Sequence, residues 1–164
     1  TVQRFDNILY GDDPEWNTMD LYIPKEEKEK LNDSCDVSKI MLASVDKFSP
    51  SRSDVVFSLD IDKKNTVFRG SDEMWEAIID NILNNFMRYA KSQIKITLKN
   101  NKIILYNDGP NIDKDVLNNI FTPYEKGVRG VFGLGLSIVK KTLGLLNYDI
   151  NIENVKNGVK FIIS

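Results

Sequence analysis

The chain has 164 residues, 41% of them hydrophobic and 28% charged, and a net charge of −2, which suits one soluble domain with a sizeable core plus some additional chain. The faintly acidic balance argues against a nucleic-acid partner, and no apolar run is long enough for a transmembrane helix; no signal peptide opens the chain, and a start at Thr1 rather than Met is expected of a piece of a longer protein. Cys35 stands alone, which excludes an internal disulfide and fits a reduced compartment, and the complete lack of histidine removes Ser-His-Asp and Cys-His catalysis and the commonest zinc ligand.

Residues 1–34 are polar and broken by "GDDPEWN" and by "PKEEKEK", a solvated turn or short helix, while "TMDLYI" at 18–23 has the composition of a strand that Pro24 ends. From residue 36 the pattern sharpens. Val37, Ile40, Met41, Val45 and Phe48 recur at helical spacing, with Ser34 or Asp36 as the cap, and "SPSRSD" breaks that helix. "VVFSLDI" (55–61) and "TVFRG" (66–70) read as a strand pair around the turn "DKKN". Ser71 or Asp72 then caps a helix running through "AIIDNILNNFMRYA" (77–90). "QIKITLKN" and "KIILYND" form a hairpin around "NN"; a short helix follows at about 113–120, then a Gly-bearing loop, a helix at 134–146, and a last hairpin, "YDINIEN" and "GVKFIIS". Paired strands alternating with helices predict an α/β (α+β) two-layer sandwich: a mixed, mostly antiparallel sheet covered on one face by helices.

Three stretches are candidates for chemistry. In the 72–90 helix, at about 100° per residue, Trp75, Ile78, Ile79, Ile82, Leu83 and Phe86 share one stripe; Asn81, Asn85 and Arg88 line its border, Tyr89 falls near the same edge, and Asn84 points to solvent. The ordinary reading is an amphipathic helix with polar flanks. The functional reading gives Asn85 a carbonyl oxygen for Mg²⁺, Arg88 a charge for phosphate and Tyr89 a face for a ring. In "YNDGPNI" (106–112), Asp-Gly after a strand is commonly just a turn, yet Asp108 can accept from an exocyclic amine and Gly109 lets a ring approach the backbone. In "KGVRGVFGLGLSIVKK" (126–141), Gly127, Gly130, Gly133 and Gly135 precede a helix. That is either a flexible loop or a phosphate cradle to which Lys126 and Arg129 add charge; neither the Walker nor the Rossmann pattern fits.

Each signal is weak alone, but their order is specific. From about residue 36 to 164 the chain resembles the catalytic ATP-binding domain of bacterial sensor histidine kinases. "DNILNNFMRYA" is similar to that family's N box, "NDGPNI" to its first glycine box, "IFTPYEKG" to its F box and "GVFGLGLSIVKK" to its second glycine box. The resemblance implies ATP and Mg²⁺ as cofactors, held under an ATP lid spanning about 122–132. It implies Asn85 as the Mg²⁺ ligand, Asn81 as the polar residue one turn earlier, Arg88 as a phosphate contact, Tyr89 near the ribose and Asp108 as the reader of the adenine amine beside Gly109. It further implies Gly133, Leu134, Gly135 and Leu136 as the phosphate loop, with Lys126 and Arg129 as lid contacts. Three positions depart from the family pattern: Phe86 for Ala, Asn111 for a glycine whose left-handed backbone Asn tolerates, and Phe132 for Ser or Thr.

Since no histidine is present, the resemblance implies an acceptor histidine outside this chain, on an upstream dimerisation hairpin. Residues 1–34 are then the linker or the end of that hairpin and 35–164 the catalytic domain. The implied partners are the phosphoacceptor hairpin and a response regulator receiver domain, in a membrane-anchored homodimer with this part in the cytoplasm. Two other readings remain open: an ATPase with a conformational cycle, which Asn81 disfavours because an amide is no base for water, and a degenerate docking module without catalysis.

Overall fold

The computed structural model describes residues 31–122 and 135–164. Their elements are β1 (Ser34–Asp36), α1 (Val37–Phe48), a 3₁₀ turn (Ser49–Ser51), β2 (Val56–Ile61), β3 (Val67–Arg69), α2 (Asp72–Tyr89), β4 (Gln93–Lys99), β5 (Lys102–Asn107), α3 (Lys114–Asn118), α4 (Gly135–Leu145), β6 (Ile150–Val155) and β7 (Gly158–Ile163). Both long N-terminal helices start on the expected caps. The Asp36 side chain accepts from Ser38 N–H at 3.2 Å and Ser71 Oγ from Met74 N–H at 3.2 Å, each satisfying a donor the first helical turn leaves orphaned.

The main sheet has five strands in the order β2-β4-β5-β7-β6. β4–β5, β5–β7 and β6–β7 are antiparallel, and β2–β4 is parallel. Alternation along each strand sorts the faces. Ile94, Ile96 and Leu98 of β4, Ile103 and Leu105 of β5, and Val159, Phe161 and Ile163 of β7 all point inward and are buried. They meet Met41 of α1, the Trp75–Phe86 stripe of α2, and Leu136, Val139 and Leu143 of α4. This is the expected two-layer sandwich. The β4–β5 turn puts Asn100 and Asn101 at φ 55° and 60°, the left-handed pair that a tight two-residue hairpin needs.

One expected pairing is different. β2 and β3 are not partners. β2 lies parallel to β4 with Phe57 opposite Ile94 and Leu59 opposite Ile96, and α2 provides part of the crossover. β3 instead pairs antiparallel with β1, Phe68 opposite Cys35. The reason is where Phe68 finds cover. It packs against Trp75 and Tyr148, with ring centroids 5.5 and 5.7 Å away, in an aromatic cluster at the start of α2. A hairpin of β2 and β3 would forgo that burial. β1 also places residue 34 within a strand of the folded unit, so the expected boundary between 34 and 35 falls inside β1.

Candidate functional site

The site is built around the C-terminal half of α2. Its apolar stripe is buried against the sheet, and Asn81, Asn85 and Tyr89 follow at successive turns along the border, each half-buried, while Asn84 and Arg88 are exposed. The helix end is held from outside. Arg52 donates from Nη1 to Met87 O at 2.7 Å and from Nη2 to Ala90 O at 2.9 Å, while its guanidinium makes a two-point pair with the Asp54 carboxylate. Two carbonyls left over by the helix are thereby satisfied.

The end of β5 meets the same corner. Asp108 was expected to face a ligand amine. The structure directs its carboxylate to the 91–93 turn instead, where it accepts from the backbone N–H of Lys91 (2.9 Å), Ser92 (3.0 Å) and Gln93 (3.1 Å) and from the Ser92 hydroxyl. Desolvation opposes ionisation of that carboxyl. The Ser92 hydroxyl and the backbone donors of Ser92, Gln93 and Lys91 together outweigh it and hold the pKa at about 2. Strand parity explains the outcome. Ile103, Leu105 and Asn107 share the inward face, so the residue that enters the site is Asn107, one before Asp108. Continuing the alternation of "KIILYND" identifies it. Gly109 then passes so close to α2 that a Cβ there would lie 2.4 Å from Tyr89 O and 2.7 Å from Asn107 Oδ1, so no other residue fits without moving the backbone.

Asn85, Tyr89 and Asn107 line a cavity of about 260 Å³ with Pro110, Asn111, Ile112, Asp113, Val116, Val159 and Phe161. Its far wall is pinned to the last hairpin. Asn111 Nδ2 donates to Val155 O at 3.0 Å and Gly158 O at 2.8 Å, and the Asn154 side chain brackets Ile112, accepting from its N–H and donating to its C=O, both at 2.8 Å. Asn111 is not among the residues with positive φ, so its role here is this cross-link rather than a left-handed turn. Beneath the cavity, Phe86 meets Phe161 edge-on with centroids 5.0 Å apart, which accounts for the large residue at 86. The described walls are therefore apolar below, amide-lined on the side of α2 and β5, and stiffened by hydrogen bonds opposite.

The other expected site residues are distributed as follows. Asn81 donates from Nδ2 to Ala77 O at 2.6 Å, and a Cβ on Gly135 would lie 3.0 Å from its Oδ1, so the start of α4 sits directly against Asn81. Leu136 has its side chain in the core. Arg88 is not part of the cavity lining. Lys126, Arg129, Gly133 and Leu134, with nearly all of the expected lid, lie outside the described residues. Among the described residues no group of His, Cys, Asp or Glu could hold a metal ion alone. Were a divalent cation bound here, the Asn85 amide oxygen could contribute one ligand, with the rest of the shell coming from ligand oxygens and water, a coordination Mg²⁺ accepts. Besides Asn107, sequence reasoning missed Arg52 and the Asn111 and Asn154 cross-links, whose roles depend on contacts distant in the chain.

Comparison with known proteins gives a consistent picture. Residues 70–164 match the family described as histidine kinase-, DNA gyrase B-, and HSP90-like ATPase. The sensor histidine kinase CssS of Bacillus subtilis (strain 168) is 34% identical over 152 residues, covering 88% of this chain and 34% of CssS. The chain thus spans about a third of that relative's length. Among solved structures, the mycobacterial sensor histidine kinase MprB superposes with a TM-score of 0.71 at 17% identity, covering 80% of this chain and 95% of that one. The nucleotide-free catalytic domain of histidine kinase ThkA gives a TM-score of 0.71 at 22% identity, covering 80% and 92%. At these identities the two structures speak for the fold alone.

Proposed function

Because the chain belongs to the histidine kinase-, DNA gyrase B- and HSP90-like ATPase family, we propose that it is the part of a sensor histidine kinase that binds Mg-ATP and passes the γ-phosphoryl group to a histidine on a separate dimerisation hairpin. The observation that carries this reading is the cavity in which Asn85, Tyr89 and Asn107 converge over an apolar floor of Val159 and Phe161. A purine fits such a floor, and the amide of Asn85 lies on the helix border that leads toward Gly135. Phosphoryl transfer demands positioning and charge stabilisation more than covalent chemistry from the protein. The bound cation would supply charge neutralisation on the phosphates. The protein's share is to hold the base between the sheet and the 109–113 loop, to place the phosphates against the α4 N-terminus, and to offer no general base. Asn81 is an amide already tied to Ala77 O and cannot activate water. We also assign Lys126, Arg129, Gly133 and Leu134 to phosphate contacts, on resemblance alone.

The chain has no histidine. This reading puts the acceptor on an upstream hairpin, with the residues that precede β1 as its end or linker, a response regulator as the next phosphoryl acceptor, and a membrane-anchored homodimer with a cytoplasmic catalytic domain as the parent protein. Labelled ATP tests this. The chain alone should release almost no phosphate and take no label. With the hairpin supplied as a second chain, acid-labile, base-stable label should appear on the hairpin, weakly because tethering is lost. Rapid phosphate release by the chain alone would favour a conformational-cycle ATPase, and sound ATP binding without transfer would favour a docking module.

A further inference from the structure

The helices cover one face of the five-stranded sheet, and the opposite face carries a groove of its own. Strand alternation turns Lys95 and Thr97 of β4, Ile104 and Tyr106 of β5, and Lys160 and Ile162 of β7 away from the core. Register sets them in two rows across the strands, one of Lys95, Tyr106 and Lys160, the other of Thr97, Ile104 and Ile162. A solvated sheet face ordinarily presents polar side chains. Here its centre holds two isoleucines and a tyrosine, each half-buried. A groove of about 400 Å³ is lined there by Lys95, Lys156 and Lys160 and by Ile104, Tyr106 and Val155. Its aromatic floor is fixed in place. Tyr106 Oη donates to Asn157 O at 2.7 Å, and a Cβ on Gly158 would lie 2.4 Å from Tyr106 Cε2, so the ring rests directly against the start of β7. Among the described residues none of the three lysines makes an ion pair, whereas Lys99 at the end of β4 is paired with Asp60 at 2.8 Å. Glu153 stands opposite Lys160 in the β6–β7 register and offsets at most one of the three charges.

We infer that this face is a docking surface for an acidic, extended segment of a partner protein, one that carries an apolar side chain between two carboxylates. Lys95 and Lys160 flank Tyr106 two strand spacings apart, roughly 10 Å. In an extended peptide alternate side chains share a face, and those four positions apart are separated by roughly 13 Å. Carboxylates at the first and fifth positions therefore meet the two lysines along their flexible stems, while an aromatic or aliphatic side chain at the third settles on Tyr106 and Ile104. The carboxylates set attraction and register. The apolar contact supplies most of the affinity, since exposed ion pairs contribute little. A second copy of this chain does not fit face to face, because two lysine-bearing faces would oppose each other. An anionic membrane is a poorer match, because the chain carries a net charge of −2 and this face also presents Asp60 and Glu153. The surface lies across the sheet from Val159 and Phe161, which face the base cavity, so docking here leaves that cavity open.

The test is NMR titration of the isotope-labelled full chain with a peptide whose core is Glu-Ser-Phe-Ser-Glu. Saturable shifts should centre on Lys95, Tyr106 and Lys160 at submillimolar peptide and weaken as salt rises. The double variant Lys95→Glu, Lys160→Glu should bind the peptide about tenfold more weakly or worse, and replacing the peptide's Phe by Ser should weaken binding to the parent chain about fivefold. Circular dichroism checks that the variant is folded; if it is not, the location of the shifts and the Phe-to-Ser comparison decide. No shift on this face at millimolar peptide, or binding that survives the charge reversal, overturns the proposal. Equal shifts with inorganic tripolyphosphate would reduce the groove to a general anion site, and lysine-dependent binding to phosphatidylserine vesicles without peptide binding would make it a membrane surface; either result overturns it. Peptide binding that appears only after Asp12→Asn, Asp13→Asn and Glu15→Gln are introduced together would mean that the chain's own acidic stretch occupies the groove, which also overturns docking of a partner.

Discussion

Asp108 and Asn107 are adjacent and chemically similar, and their roles are set by which side of β5 each leaves. Asp108 stabilises the 91–93 turn as an anion. Asp108→Ala should cost about 1 to 3 kcal/mol at neutral pH, toward the lower end because water reaches the carboxylate, while the preference for ATP over GTP survives; loss of that preference would return Asp108 to the binding site. The pH dependence follows from the depressed pKa of about 2 against an ordinary value of 3.8. The folded state is favoured by the ionised form, so this contribution is fully present above about pH 4 and is lost as pH falls toward about 2. Denaturant melts of parent and variant should converge across that window. Cys35 illustrates burial in the opposite direction. Desolvation, then the hydrogen bond with Asp72, pushes its thiol up to about 12. The sequence showed a lone cysteine and an Asp-Gly turn; it did not show what either one faces, because that depends on strand parity and on residues far away in the chain.

The helix α2 carries the site, and it is anchored at both ends. Its start was legible from Ser71, whose cap is present, and its buried stripe from the spacing of Trp75 to Phe86. Its C-terminal anchor was not legible, since Arg52 lies 35 residues before Met87 in a segment that reads only as a helix breaker. Arg52→Ala should release the Met87 and Ala90 carbonyls, so amides around 89–93 should exchange faster with solvent while the core strands stay protected. Unchanged exchange there would mean the clamp is dispensable. Phe86→Ala should cost about 3 to 5 kcal/mol through loss of buried area and the edge-on contact with Phe161. A loss below about 1 kcal/mol would mean the cavity floor collapses to fill the space. The strand segments at 56–61 and 67–69 were legible as strands, but not as partners. Alternation reports a face, not a neighbour, and β2 found its partner in β4 across α2.

As a unit, the sheet and the three longer helices bring together at one corner what the sequence spreads from Arg52 to Phe161: a clamped helix end, a strand end with a buried amide, and a loop tied to the last hairpin. The layer architecture was readable because helical and strand periods alternate cleanly along residues 36–164. The cavity was readable only as an ordered set of motifs, since no one of them specifies the contacts that close it. If the corner holds Mg-ATP, ligand should stabilise the fold by mass action, by about 2.7 kcal/mol at a hundred times the dissociation constant. The most direct measurement is calorimetric titration of the chain with ATP, with and without Mg²⁺, alongside the Asn85→Ala variant. The expected result is exothermic binding that Mg²⁺ tightens about tenfold or more in the parent chain, with that Mg²⁺ enhancement lost in Asn85→Ala while weak metal-free binding persists. Absence of binding at millimolar ATP, or binding in the parent chain indifferent to Mg²⁺, would contradict it.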